Sequence, residues 1–209
     1  QCEKSRYMIL VGITGIIGSG KSTVSYLLSR EGFPIIDIDR LGKEVTGYQE
    51  VIQDIKETFG SEFVVNGEAD IGKLRAIAFR DVETRRKLEN IIHPRARSLL
   101  LRRIDDFRNA GNKVVIVDGP LLYETGLAKE LDKVVVISAD MKKIKARLKV
   151  RGIEQDDIDR RLLHQIPLQD KEKMADFVVY NNGTEEDLEK EVRALVVKIN
   201  EWEVRSSCT

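Results

Sequence analysis

Two cysteines in 209 residues, Cys2 and Cys208, stand at opposite ends of the chain in polar surroundings. That excludes a disulfide framework and any C-x-x-C redox or metal site, and a reducing compartment, the cytoplasm, is the expected setting. Histidine is equally scarce. His93 and His164 have no cysteine or acidic partner at ligand spacing, so zinc chemistry is not expected. His93 precedes Pro94, which predicts a helix boundary there, and His164 reads as a helix-surface residue. Neither charge sign is in excess: 35 Lys and Arg balance 35 Asp and Glu, so no global field favours nucleic acid or an anionic membrane. The longest apolar runs are strand-length, far below the ~20 residues needed to span a bilayer. Residues 1–7 lack the apolar segment of a signal peptide, and Met8 reads as a natural start, which makes those residues an appended tail. Trp202 and the other aromatic residues are too scattered to form a base-stacking platform for single-stranded nucleic acid.

Against that plain background one segment stands out. Gly15-Ile16-Ile17-Gly18-Ser19-Gly20-Lys21-Ser22 matches G-x-x-x-x-G-K-[ST]. An apolar strand, Met8 to Ile13, precedes it, and an amphipathic helix pattern from Thr23 to Leu28 follows. Glycines at 15, 18 and 20 let the backbone turn so that successive N–H groups converge on phosphate oxygens at the positive end of the helix. Lys21 is positioned to reach β and γ phosphates, and the Ser22 hydroxyl to take one coordination position on Mg²⁺. The nucleotide-binding set read from this segment is Gly15, Gly18, Ser19, Gly20, Lys21, Ser22 and Thr23.

Beyond the loop, a helix over about 21–30 is followed by Phe33 to Asp39 as a short buried strand ending in two carboxylates. Residues 41–112 are mainly helical, interrupted at Gly60-Ser61 and Asn66-Gly67, and read as an insertion that covers an acceptor. Core strands return at 113–118 and 133–138, both nearly continuous β-branched runs of the kind buried on two faces. A charged region over 141–173 comes next, then a last strand at 177–180. The final helix begins near 182–184 and carries an apolar stripe of Leu188, Val192, Leu195, Val196 and Ile199. Alternating strands and helices with the nucleotide loop after the first strand predict a doubly wound parallel α/β sheet with ligands at the carboxyl ends of the strands. The expected organisation is a single domain over 8–203 between tails at 1–7 and 204–209. Its core is 8–40, 113–140 and 174–203, with the insertion at about 41–112 and a lid at about 141–173.

Asp37 and Asp39 project the same way if the strand continues through them. Phosphoryl transfer asks a protein mainly for positioning, charge neutralisation and a carboxylate that accepts the proton of the attacking hydroxyl. Asp39 is the candidate base, and an N-cap role for the next helix stands beside it. Asp118 ends an apolar strand in the manner of a carboxylate that holds Mg²⁺, and a turn role before Gly119-Pro120 stands beside that. Arg147 and Arg151 are one helical turn apart and able to close on transferring phosphates, whereas the surrounding Lys142, Lys143, Lys145 and Lys149 read as a solvated face.

These residues together resemble the dephospho-coenzyme A kinase family. The resemblance runs from Val11 to about Val192. It begins with Gly12 to Thr23, similar to G-[LI]-T-G-G-I-G-S-G-K-[ST]-T, and continues with Ile36-Asp37-Ile38-Asp39, similar to I-D-A-D, and with Ile92-His93-Pro94. It goes on through Asp118 to Glu124, similar to D-[IV]-P-L-L-[FY]-E, then Arg147-Leu148 with Arg151, Gln165, Ala175-Asp176 and Asn181-Asn182-Gly183. What the resemblance implies is a P-loop kinase with a five-stranded parallel core, a helical coenzyme A domain and a lid. It implies transfer of the γ phosphoryl of ATP, with Mg²⁺, to the ribose 3′-hydroxyl of dephospho-coenzyme A. In the matching positions Asp39 is the catalytic base, Lys21 and Ser22 are the phosphate and Mg²⁺ residues, and Arg147 and Arg151 are lid arginines. Asn181 lies near the adenine, and His93 and Arg95 face the acceptor. Ile16 stands where the family has glycine, so the backbone there must avoid positive φ, and Ile38 replaces an alanine. Another small-molecule P-loop kinase, acting on a nucleoside monophosphate or sugar acid, shares the same core machinery. A nucleotide-dependent switch protein is disfavoured because Asn181-Asn182-Gly183-Thr184 lacks the lysine and aspartate of N-K-x-D, and a silent coenzyme A binder because Lys21, Ser22 and Asp39 are intact.

Overall fold

The computed structural model describes residues 8–78, 81–163 and 165–206, so Cys2, His164, Cys208 and the tail expected over 1–7 lie outside the described residues. The chain divides into two compact units: the residues up to Ile36 together with those from Phe107 onward, and Asp37–Asp106 between them.

In the first unit the apolar runs become strands because β-branched residues buried on both faces leave no solvated side. β1 (Ile9–Gly15) leads through the glycine loop into α1 (Lys21–Arg30), and β2 (Ile35–Asp37) follows. The four helices and the hairpin of the second unit, labelled below, precede β5 (Val114–Asp118), which is buried throughout. The five-stranded sheet has the order β2-β5-β1-β6-β7, completed by β6 (Lys133–Ser138) and β7 (Phe177–Tyr180). β1 pairs in parallel with β5 and β6, and β6 with β7. The charged stretch between the last two strands folds as α6 (Met141–Val150), α7 (Gln155–Leu163) and α8 (Leu168–Met174). Ile144, Leu148 and Ile158 from these helices bury against Ile16 of the glycine loop and Ala139.

The closing helix α9 (Glu185–Ser206) starts from a reciprocal cap: the Thr184 hydroxyl accepts from the Asp187 amide at 3.2 Å, and the Asp187 carboxylate accepts from the Thr184 amide at 3.1 Å. These bonds, with Lys190, hold the Asp187 carboxyl below its ordinary range. Its stripe of Leu188, Val192, Leu195 and Ile199 packs on β1, β6 and β7, and Trp202 joins the same core, which carries the helix past residue 203 to Ser206.

The second unit contains α2 (Ile38–Val45), α3 (Gln49–Phe59), α4 (Ile71–Ala78) and α5 (Val82–Asn109). A hairpin of β3 (Val64–Val65) and β4 (Glu68–Ala69) was not foreseen. Its turn is Asn66-Gly67, both at positive φ (53° and 82°), which is the backbone a two-residue hairpin demands. The dipeptide therefore joins strands here, where it was expected only to interrupt helices. The unit's own core gathers Val51, Ile55, Leu74 and Ile91.

Two expectations are corrected. The strand carrying the paired carboxylates stops at Asp37, whose side chain accepts from the Arg40 amide at 3.0 Å and so caps α2. Asp39 consequently sits in the first turn of that helix, neither on a strand beside Asp37 nor at the cap. Pro94 likewise ends nothing: α5 runs through it for 28 residues. Buried Ile91 on one side and Leu99, Leu100 and Ile104 on the other anchor both halves, and Arg95 donates to the Ile91 carbonyl at 3.2 Å, so packing outweighs the lost amide bond. Among the described residues no helix is long and apolar enough to cross a membrane.

Candidate active site

The loop between β1 and α1 is shaped by close approach. A Cβ at Gly15 would lie 2.7 Å from both the Ile137 carbonyl oxygen and Ser19 Oγ, so only glycine lets the turn settle against β6. Gly20 caps α1 at φ 99°, and a Cβ there would strike the side-chain amide of Asn181. Gly18 also has positive φ, whereas Ile16 does not, Asn66 being the one non-glycine residue of positive φ among those described. The Ile16 substitution is thus accommodated. The Ser19 amide donates to the Ile16 carbonyl at 3.1 Å and tightens the loop. Its hydroxyl is buried without a hydrogen-bond partner among the described residues. A buried orphan hydroxyl inside a ring of turning backbone, at the amino end of a ten-residue helix, is the donor chemistry a phosphate chain satisfies.

Lys21, Ser22 and Thr23 form the first turn of α1. Lys21 Nζ makes an ion pair with Asp118 Oδ1, and Ser25 Oγ donates to Asp118 Oδ2 at 2.7 Å. Asp118 is the last residue of β5 and nearly buried, so an unpartnered carboxylate there would be costly. The lysine and the serine, on the same face of α1, resolve that cost. Of the two roles open to Asp118 the structure adds a third contribution, partner to the loop lysine. No cluster of three or more His, Cys, Asp or Glu among the described residues is arranged to hold a metal. Mg²⁺ in phosphoryl transfer needs only one or two protein oxygens, with phosphates and water supplying the rest. The Ser22 hydroxyl and the Asp118 carboxylate are donors of that kind.

Arg147 and Asn181 interlock around this loop. Asn181, buried just beyond β7, donates its side-chain amide to the Ser19 carbonyl at 2.9 Å. Arg147 donates to the Asn181 carbonyl at 2.9 Å, to Asn181 Oδ1 at 3.1 Å and to the Ser19 carbonyl at 3.5 Å. The guanidinium expected to face phosphates is here tied to the loop's main chain. Arg151 caps the end of α6. Both arginines, with Gly18, Gly20, Thr23 and Asn181, line a cavity of about 490 Å³ that opens beside the loop, a volume suited to a nucleoside. Of the lysines expected to be solvated, Lys142, Lys145 and Lys149 are exposed, and exposed Lys143 bonds to the Asn182 carbonyl.

The acceptor-side candidates belong to the second unit. Asp39 is exposed in the first turn of α2, and His93 is exposed on α5. Arg95 pairs with Asp54 at 2.6 Å and lies 4.0 Å from Glu50, both on α3. With Tyr48, Glu50, Pro94, Ser98 and Arg102 it lines a cavity of about 260 Å³.

Sequence reasoning gave no role to Ser25 or Lys171, nor to Glu124, which it met only as the end of a matched segment. Ser25 carried a usable signal, four residues after Lys21 and so on its face of the helix. Lys171 carried none, because a lysine in a charged run reads as solvated, yet it is fully buried.

Comparison with known proteins agrees with this geometry. The family model described as dephospho-CoA kinase matches residues 9–187, most of the chain. A dephospho-CoA kinase of Corynebacterium glutamicum is 40% identical over 195 residues, covering 92% of this chain and 98% of that protein. Among solved structures, TT1252 from Thermus thermophilus superposes with a TM-score of 0.81 at 33% identity, covering 92% of this chain and 98% of that one. A dephospho-CoA kinase from Campylobacter jejuni gives 0.70 at 25% identity, covering 92% and 97%.

Proposed function

This chain belongs to the dephospho-CoA kinase family, and from that premise we propose how its residues divide the reaction. The protein transfers the γ phosphoryl of ATP to the ribose 3′-hydroxyl of dephospho-CoA, giving CoA and ADP, the last step of coenzyme A synthesis. Atoms balance simply: the 3′-oxygen bonds to γ-phosphorus, the bond from γ-phosphorus to the bridging oxygen breaks, and the hydroxyl proton leaves to a base. Asp39 takes that proton in our reading, supported by its exposed carboxylate and by its match to the last position of the family's I-D-A-D. The backbone of the glycine loop, with the buried Ser19 hydroxyl, cradles the triphosphate. Lys21 exchanges Asp118 for phosphate oxygens as nucleotide arrives, while Ser25 stays bonded to the Asp118 carboxylate. Mg²⁺, when bound, would supply charge neutralisation for the transferring phosphoryl, and Ser22 and Asp118 are the residues that would hold it. Arg147 keeps the loop in shape through Ser19 and Asn181, and Arg151 faces the nucleoside cavity from the same helix end.

We assign residues 141–173 to a lid that excludes water as a competing acceptor, and the second unit, with His93 and Arg95, to acceptor binding. A cytoplasmic location belongs to the same reading, as expected for two water-soluble nucleotide substrates. The observation that carries the assignment is the Lys21–Asp118 pair at the mouth of a glycine cradle, within a chain matched along most of its length by one kinase family. ADP release measured against a panel of dephospho-CoA, AMP, shikimate, gluconate and no acceptor tests it. Selective turnover with dephospho-CoA is the expected result, and equal turnover with no acceptor would refute the kinase assignment.

A further inference from the structure

Lys171, on α8, is fully buried, and its ammonium binds two groups at the ends of one loop: the Pro120 carbonyl at 2.8 Å and Glu124 Oε1 at 2.8 Å. That loop begins directly after Asp118. Glu124 Oε1 also accepts from the Ile166 amide at 2.8 Å, and the Pro120 carbonyl also accepts from Thr14 Oγ1, near the end of β1, at 3.1 Å. The preceding residue, Gln165, accepts from the Ile17 amide of the glycine loop at 3.3 Å, and the next one after Lys171, Glu172, accepts from Ser138 Oγ at the end of β6. One short segment, 165–172, is therefore bonded to the glycine loop after β1, to the loop after β5 and to the last residue of β6, and Lys171 is its only buried charge. Glu124 Oε2 is buried with no partner among the described residues, so the pair is not fully satisfied.

A buried ion pair is poor value as a source of stability, because apolar side chains of similar volume fill such space with no desolvation penalty. What a pair supplies and packing does not is direction: two fixed bonds at defined angles. Burial pushes the Lys171 ammonium below its ordinary range, against the pull of Glu124, which is the signature of a charge kept where it is costly.

We propose that Lys171 is a positioning residue for phosphoryl transfer: with Glu124 it fixes the loop after Asp118 against the glycine loop, and so sets the register of Asp118 and Lys21. It touches no substrate atom and acts through Pro120 and Glu124. The proposal rests on the kinase reading above. It predicts a split between chemistry and binding, since the glycine loop's own amides still hold nucleotide when the register slips.

The deciding protein is the full chain carrying K171M with E124M, which buries no unpaired charge, measured beside E124Q. Turnover with ATP and dephospho-CoA, ADP affinity by calorimetry and the thermal midpoint are read on each. A misplacement on the order of 1 Å lowers turnover by roughly 10- to 100-fold. The expected result is a loss of that size in kcat in both variants, with ADP affinity within about threefold of wild type. Turnover within about twofold in the folded double variant would overturn the proposal and make the pair a space filler. A double variant that does not fold would overturn it too, as the pair would then be a folding element. Wild-type protein with no turnover of dephospho-CoA would defeat the kinase reading instead, so the two failures are distinct.

Discussion

The side-chain amide of Asn181 and the main-chain carbonyl of Ser19, 162 positions apart in the chain, are 2.9 Å apart in the fold, joining the end of β7 to the glycine loop. Arg147 bonds to both residues, so the amide is the keystone of a three-residue lock. Replacing Asn181 by Ala removes that donor and one acceptor of the guanidinium. The KM for ATP is expected to rise by about tenfold, consistent with the loss of one or two buried hydrogen bonds at about 1 kcal/mol each. Steady-state kinetics over ATP concentration checks it, and an unchanged KM would sink the lock.

Gly20 stands against the same amide. G20A adds a methyl that meets Asn181 and places a non-glycine residue at φ 99°, a strain of about 1–3 kcal/mol. Nucleotide affinity is expected to fall by at least about tenfold. In G20A/N181A the collision is relieved while the backbone strain and the loss of the lock persist, so the combined loss should fall short of the sum of the two single losses. Strictly additive losses in calorimetric ADP titrations would show that the two sites do not couple.

Asp39 is tested by D39N, which keeps the shape and removes the base. kcat is expected to drop by roughly 10²–10⁴-fold, with ADP affinity close to wild type because the phosphate cradle belongs to another part of the chain. Single-turnover rates separate the effect from product release. Wild-type turnover in this variant would remove Asp39 as the proton acceptor.

Tyr123 has a buried hydroxyl with no hydrogen-bond partner among the described residues, and burial, with Asp176 adding to it, pushes its pKa up to about 12. The folded protein therefore keeps its proton where the unfolded chain, at about 10, has lost it. Protonation of Tyr123 therefore leaves stability unchanged below about pH 10, and the fold loses stability progressively as the pH rises from about 10 to about 12. Y123F is expected to melt no lower than wild type at pH 7, since it removes an unsatisfied group, and to show a shallower alkaline decline. Thermal midpoints of the two proteins across pH 8 to 11.5 provide the test; parallel decline would remove the titration from the account.

Much of this was already legible in linear order. The glycine loop, the buried strands and the stripe of α9 depend on neighbours within a few residues, where spacing and backbone preference act directly. The Asn66-Gly67 hairpin was equally local, and its turn chemistry was visible though its strands, two residues each, were too short to show a period. Pro94 misled because its local effect is real but smaller than the burial of Ile91, Leu99 and Leu100 around it. The strand end at Asp37 misled because a carboxylate suits both a strand tip and a helix cap, and only the Arg40 amide decides between them.

The sequence by itself determined that a phosphate cradle follows the first strand, that the core is a parallel sheet, and which kinase family the ordered motifs resemble. Each rests on residue type and spacing along a few turns of chain. Tertiary structure alone decided that Lys21 meets Asp118, that Ser25 supports it, that Asn181 and Arg147 lock the loop, and that Lys171 is buried under Glu124. Those partners lie far apart in the chain, and whether a charge is solvated or paired depends on what folds over it, which no local pattern encodes.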